Sequence, residues 1–224
     1  MAKIKKIKKI LAFTLAEVLI TLAIIGIVAA ITVPTIAHTY NEQVYVSALK
    51  KNYSVLSNAF KLSKDYDYND YKDWSHKDSN NNVIWNNYTY LKQYLYVIRE
   101  CKNKKGCWSE DITKAPTGQN AMSASEIGIG GNIITFTLND GTNVGFDYWS
   151  KSDIVKNFGV EKDLFDNTLS IFVDVNGDKK PNMLGRDVFA FILTENGLIP
   201  AGNDNESRNC KTTGYDCAAK YIHK

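Results

Sequence analysis

Residues 12–17 read Ala12-Phe13-Thr14-Leu15-Ala16-Glu17, and from Val18 to Ala37 the chain continues for 20 residues without a charge. As a helix, such a run covers about 30 Å, the thickness of a bilayer's hydrocarbon core. Lys3, Lys5, Lys6, Lys8 and Lys9 precede it, and they favour a cytoplasmic N-terminus. A cleaved secretory signal has the same layout, with Val28-Ala29-Ala30 as its small-residue cleavage site. An uncut signal anchor would keep the whole chain. Neither accounts for Glu17. A carboxylate inside an apolar span costs a few kcal/mol, and it persists where it has a partner.

The segment resembles the N-terminus of type IV pilins and of the pseudopilins of type II secretion, over about residues 3–40. The residues that carry the resemblance are Ala12-Phe13-Thr14-Leu15-Ala16-Glu17 and an apolar helix containing Gly26 and Pro34. In that family a prepilin peptidase cuts after a small residue, usually Gly, and methylates the amine it exposes. Carried over, the cut falls between Ala12 and Phe13, with Ala12 standing where Gly is usual. Residues 1–12 are then a cytoplasmic leader. Residues 13–64 form a long helix that spans the membrane from about 18 to 37.

The resemblance assigns Glu17 to assembly. Cleavage leaves an α-amino group, positively charged near neutral pH, at the end of an apolar helix. A carboxylate one helical turn on can reach the amine of a neighbouring subunit in a fibre. Paired, the two charges escape the penalty each carries alone, and the pairing sets the register between subunits. The implied partners are prepilin peptidase, other pilin or pseudopilin subunits, and a membrane assembly platform. The implied location is a single pass through the inner membrane with the head outside, then a periplasmic or surface fibre.

Pro34 removes a backbone donor and is expected to kink the helix. Beyond it Tyr45, Leu49, Tyr53, Leu56 and Phe60 recur at helical spacing, a stripe on which a globular head packs. Ile84, Tyr88, Leu91, Leu95 and Ile98 predict a second helix. From residue 132 onward the period becomes two. Ile133–Leu138 and Val144–Trp149 flank Asn139-Asp140-Gly141-Thr142, a hairpin signal. Leu169–Val175 and Val188–Leu193 predict two more strands, and Glu195-Asn196-Gly197 turns into Leu198-Ile199-Pro200. The expected fold class is α+β, with a long N-terminal helix on a small antiparallel sheet in a head at residues 65–224. The pilin resemblance implies the same architecture.

At 44% hydrophobic and 23% charged residues the chain is not a disordered sequence. A mean hydropathy of −0.28 excludes a polytopic membrane protein. The net charge of +3 hides an asymmetry, because without the five leader lysines 22 basic residues face 24 acidic ones. Such a body lacks the concentrated basic surface that polyanion binding needs. Lys102, Lys104 and Lys105 make a small basic knob, and contact with nucleic acid is a secondary reading of it.

Cys101, Cys107, Cys210 and Cys217 are an even set outside the span, which reads as disulfides in an oxidising exterior. Short loops favour closure within each pair. Pairing across the two groups, and a four-cysteine zinc site, which prefers closer spacing, are the alternatives. Asp174-Val175-Asn176-Gly177-Asp178 places oxygen side chains as a calcium loop does at its first, third and fifth positions. Lys179 and Gly185 then break that pattern, and Asp187 becomes the distal candidate. Asp174, Asn176, Asp178 and Asp187 are thus the candidate ligands for Ca²⁺, and some pseudopilins carry calcium in a C-terminal loop. The competing reading is an Asn-Gly turn whose acids hold backbone donors.

No H-E-x-x-H, G-x-S-x-G, P-loop or G-x-G-x-x-G motif occurs. Nothing links His38, His76 or His223 to a nucleophile, and Gly128-Ile129-Gly130-Gly131 resembles a phosphate loop only in glycine content. The expectation is a non-enzymatic fibre subunit of a type II secretion, type IV pilus or DNA-uptake system. The alternative is a membrane-anchored or secreted protein that binds glycans or other surface ligands through Tyr66, Tyr68, Tyr71 and Trp74.

Overall fold

The computed structural model describes residues 14–67, 70–74, 81–102, 104–122, 133–202 and 209–223. The chain divides into two units, residues 1–43 and 44–224. Helix α1 (Leu15–Asp67) contributes to both.

In the first unit α1 is apolar on every side from Val18 to Ala37. Leu19, Ile20, Ile24, Ile25, Ile27, Ile31 and Ile36 are all exposed. Its most apolar 18-residue stretch has a mean hydropathy of 2.5, so the helix is long and apolar enough to cross a membrane. A helix without a polar face is solvated by lipid or by other apolar helices. Its hydroxyls are satisfied internally, as a bilayer demands. Thr21 Oγ1 donates to the Val18 carbonyl, Thr32 Oγ1 to that of Val28 and Thr35 Oγ1 to that of Ile31, at 2.9, 2.9 and 3.2 Å. Pro34 lies inside the helix, where it withholds the donor that the carbonyl one turn earlier would receive.

In the second unit the predicted stripe of α1 is a packing face. Leu49 and Leu56 are fully buried and Phe60 nearly so, and each such leucine contributes about 2 kcal/mol of burial free energy. Helix α2 (Asn81–Lys92) adds Ile84, Tyr88 and Leu91 on its own buried face. Among the described residues eight strands follow: β1 (Val97–Lys102), β2 (Thr113–Lys114), β3 (Asn120–Met122), β4 (Ile134–Leu138), β5 (Asn143–Ser150), β6 (Asn167–Asp174), β7 (Val188–Thr194) and β8 (Gly197–Pro200). Six form one antiparallel sheet in the order β1-β4-β5-β6-β7-β8, while β2 and β3 pair separately. The α+β class is as the sequence predicts. Asn52 Nδ2 donates to Thr142 Oγ1 in the β4–β5 turn at 3.0 Å, and Tyr53 Oη to the Leu198 carbonyl on β8 at 3.2 Å. These two bonds key α1 to the sheet at two points.

Strand alternation sends Phe136, Phe146, Ile171 and Phe191 to the side of α1 and α2. It sends Phe172, Ala190 and Ile192 to the opposite side, against Trp108, Met122, Phe158 and Leu184. The sheet is therefore covered on both faces. That is why β7 is buried at every residue and reads as a continuous apolar run.

A second difference lies after α2, which ends at Lys92. Ile98, predicted as the last helical contact, sits on β1 and is 66% exposed, at a register shift between Val97 and Arg99. The aromatic and β-branched run Tyr96-Val97-Ile98 favours an extended chain there. Cys101 is bonded to Cys107 and Cys210 to Cys217. Both bridges are local, and neither the cross-paired nor the zinc arrangement occurs.

Candidate functional site

Ala12 and Phe13 lie outside the described residues. The next residue, Thr14, opens α1, its carbonyl accepting from Val18 N at 3.2 Å. Thr14 N and Thr14 Oγ1 both donate to Glu17 Oε2 at 2.8 Å, and Glu17 N donates back to Thr14 Oγ1 at 3.3 Å. This reciprocal arrangement is a capping box, which satisfies backbone donors that a helix start leaves without intrahelical partners. It anchors the carboxylate at the exposed, positive end of an apolar helix.

The second site is the connection from β6 to β7. β6 ends at Asp174 and β7 starts at Val188, so the loop returns Asp187 to the side of Asp174, and Val175 N donates to the Asp187 carbonyl at 2.9 Å. Asn182 Nδ2 donates to Asp174 Oδ2 at 2.7 Å, and Asn176 Nδ2 to Asp187 Oδ2 at 3.0 Å. Met183 N donates to Asp187 Oδ1 at 2.6 Å, and the Arg186 guanidinium pairs with Oδ2. Gly177 makes the turn at φ +66, where a Cβ would run into the Gly141 carbonyl of the neighbouring hairpin.

Asp174 and Asp187 are completely buried, and Asn182 is 1% exposed. Burial, then the adjacent Asp187 charge, pushes the Asp174 carboxyl well above the usual range. Burial also raises Asp187, against the opposing pull of Arg186 and of Met183 N. Arg186 pairs with Asp187 alone, and Asp174 is held by neutral donors, Asn182 Nδ2 and Asn176 N. Asn176 Oδ1 and Asn182 Oδ1 are buried and accept no hydrogen bond. Hard oxygen donors and spare acceptors are what a calcium ion takes from a protein, and this set offers both.

Asp174, Asn176 and Asp187 are brought together, whereas Asp178 is turned away. Its carboxylate accepts from Asn143 Nδ2 at 3.0 Å and pairs with Arg99 at 3.2 Å. Asn143, with Arg99 in support, holds it below the ordinary carboxylate range. Alternation along the strand end gave no sign of Asn182 or Arg186. The signal available was the density of Asn and Asp between 174 and 187.

Among the described residues the other candidates disperse. Tyr71 and Trp74 are buried, and Trp74 packs on Phe60 and Tyr90 at ring-centroid distances of 5.8 and 5.5 Å, so they plug the head. Tyr66 is exposed, and Tyr68 and His76 lie outside the described residues, as do Gly128–Gly131. In the basic knob Lys105 pairs with Glu110, and Lys102 lies 5.1 Å from the centre of the Trp85 ring. His38 and His223 are exposed on α1 and at the end of α3 (Ala218–Ile222). Cys210, Cys217 and Asp216 bring their side-chain ligand atoms within 4.8 Å of one another, but the sulfurs are bonded together and offer no thiolate.

Residues 7–33 match the family model described as the prokaryotic N-terminal methylation motif, the signature of type IV pilins and pseudopilins. No curated protein and no solved structure matches the chain.

Proposed function

We propose that the chain is a pilin-like structural subunit of a fibre built outside the cytoplasm. Prepilin peptidase removes residues 1–12 and methylates Phe13. Residues 18–37 hold the subunit in the membrane, with the head at 65–224 outside, until the platform of a type II secretion, type IV pilus or DNA-uptake system draws it into the fibre. The observation that carries this reading is Glu17, a carboxylate capping an otherwise apolar helix end. Both Thr14 bonds fall on Oε2, which leaves Oε1 for the α-amino group of a neighbouring subunit. The test is the N-terminal peptide mass of the protein isolated from its native envelope. A chain beginning at methylated Phe13 is expected. A start at Ile31, or an uncut chain, overturns the reading.

In the head, we propose that Asp174, Asn176, Asn182 and Asp187 hold a calcium ion. Bound there, the ion would neutralise the second carboxylate and take up the spare amide oxygens, fixing the loop between β6 and β7. Millimolar calcium is expected to raise the melting temperature of the full chain in detergent micelles, compared with EDTA. Identical melts in the two conditions end this reading.

A further inference from the structure

The C-terminal hairpin closed by Cys210–Cys217 lies against the turn that carries Asp187, and glycines let the two come together. Gly185, at φ +74, sits where a Cβ would run into Cys217 Sγ. Gly214, at φ +86, sits where a Cβ would stand 2.6 Å from both Cβ and the carbonyl oxygen of Leu184. Gly202, at φ +114, is pressed in the same way onto the Asp216 carbonyl. Glycines from three separate segments thus have a backbone conformation that side chains rarely adopt, and each lies at a contact made by residues 214–217. The hairpin is itself rigidly tied. Asn209 O accepts from the backbone N–H groups of Thr212, Thr213 and Gly214, Asn209 N donates to Asp216 Oδ2, and Cys210, Cys217 and Ala218 are in the core.

The gripped turn runs from Met183 to Val188. Met183 O accepts from Arg186, Asp187 and Val188 N, while Met183 N donates to Asp187 Oδ1. The position of the Asp187 carboxylate therefore follows that of Leu184 and Gly185. We infer that the Cys210–Cys217 hairpin is the positioning element of the β6–β7 cation loop, with Gly185 and Cys217 as its contact pair, holding Asp187 against Asp174. The inference rests on the calcium reading for its ligand, but the mechanical claim stands on the glycine contacts alone.

The test compares the full chain in detergent micelles with two double variants, Cys210→Ser/Cys217→Ser and Cys101→Ser/Cys107→Ser. Calcium titration calorimetry and amide exchange at residues 184–188 are read on each. Loss of the tail bridge is expected to weaken calcium binding roughly tenfold, the usual scale for residues that orient ligands, and to speed exchange at 184–188 while β5 stays protected. Loss of the other bridge is expected to change neither. Equal calcium affinity with and without the tail bridge, or an equal loss from the Cys101/Cys107 variant, overturns the inference. If the wild-type chain takes no calcium, the calcium reading fails and exchange alone decides. Faster exchange at 184–188 in the tail variant upholds the positioning role, and unchanged exchange refutes it. Should that variant not fold, Gly185→Ala, which keeps both bridges, carries the same two measurements.

Discussion

The Glu17 carboxylate accepts from Thr14 N and Thr14 Oγ1, and in the proposed fibre it also meets a cation. These uses are chemically separable. A cap needs an oxygen acceptor, and an amide supplies one as the capping box shows. Pairing with an amine in apolar surroundings needs a negative charge. Glu17→Gln should therefore keep the start of α1 and be processed normally, yet fail to enter fibres. Glu17→Ala should fail in the same way and lose the cap at the start of α1 in addition. The measurement is the fraction of each variant recovered in sheared fibres, beside N-terminal mass. Wild-type incorporation of Glu17→Gln would mean that the cap alone suffices and the charge pair plays no part.

At the scale of elements, legibility in the sequence followed how far each element is governed by its own residues. α1 was readable because its two halves each obey one rule, apolar all round to residue 37 and one buried stripe beyond Val44. The β4–β5 hairpin was readable because Asn139-Asp140-Gly141-Thr142 makes the turn locally and Gly141 has a φ of +87. β1 was not, since Leu95 and Ile98 continue the spacing of Ile84, Tyr88 and Leu91, and only pairing with β4 (Arg99 opposite Thr137) shows the chain to be extended. The covering of the second sheet face was illegible because it is assembled from single residues far apart in the chain, Trp108, Met122, Phe158 and Leu184. The calcium candidates divide in the same way. Asp174 and Asn176 follow from the strand end itself, and Asp187 from its return to β7. Asp178 is decided by Arg99 and Asn143, partners 79 and 35 residues away.

For the whole molecule, buried acids determine how stability depends on pH. Asp147 lies on the central strand β5 and accepts only neutral donors, Trp149 Nε1 at 2.8 Å among them. Burial pushes its carboxyl from 3.8 up to about 7. Burial raises Asp216 as well. The folded protein therefore holds protons that the unfolded chain has already released, and stability falls as pH rises wherever the native state binds more protons. Asp178, held low by Asn143 and Arg99, acts with the opposite sign, as does Asp140, which Lys51 and Thr142 hold low in spite of its burial. Their contributions are lost only on acidification below the ordinary value of 3.8. They leave the window from about 4 to about 7 to Asp147 and its like. At constant calcium, the melting temperature of the full chain in micelles should decline across that window, and Asp147→Asn, which keeps an acceptor for Trp149, should flatten the decline. A melting temperature that climbs from pH 4 to pH 7, or a slope untouched by Asp147→Asn, would show that this carboxyl ionises freely in the folded head.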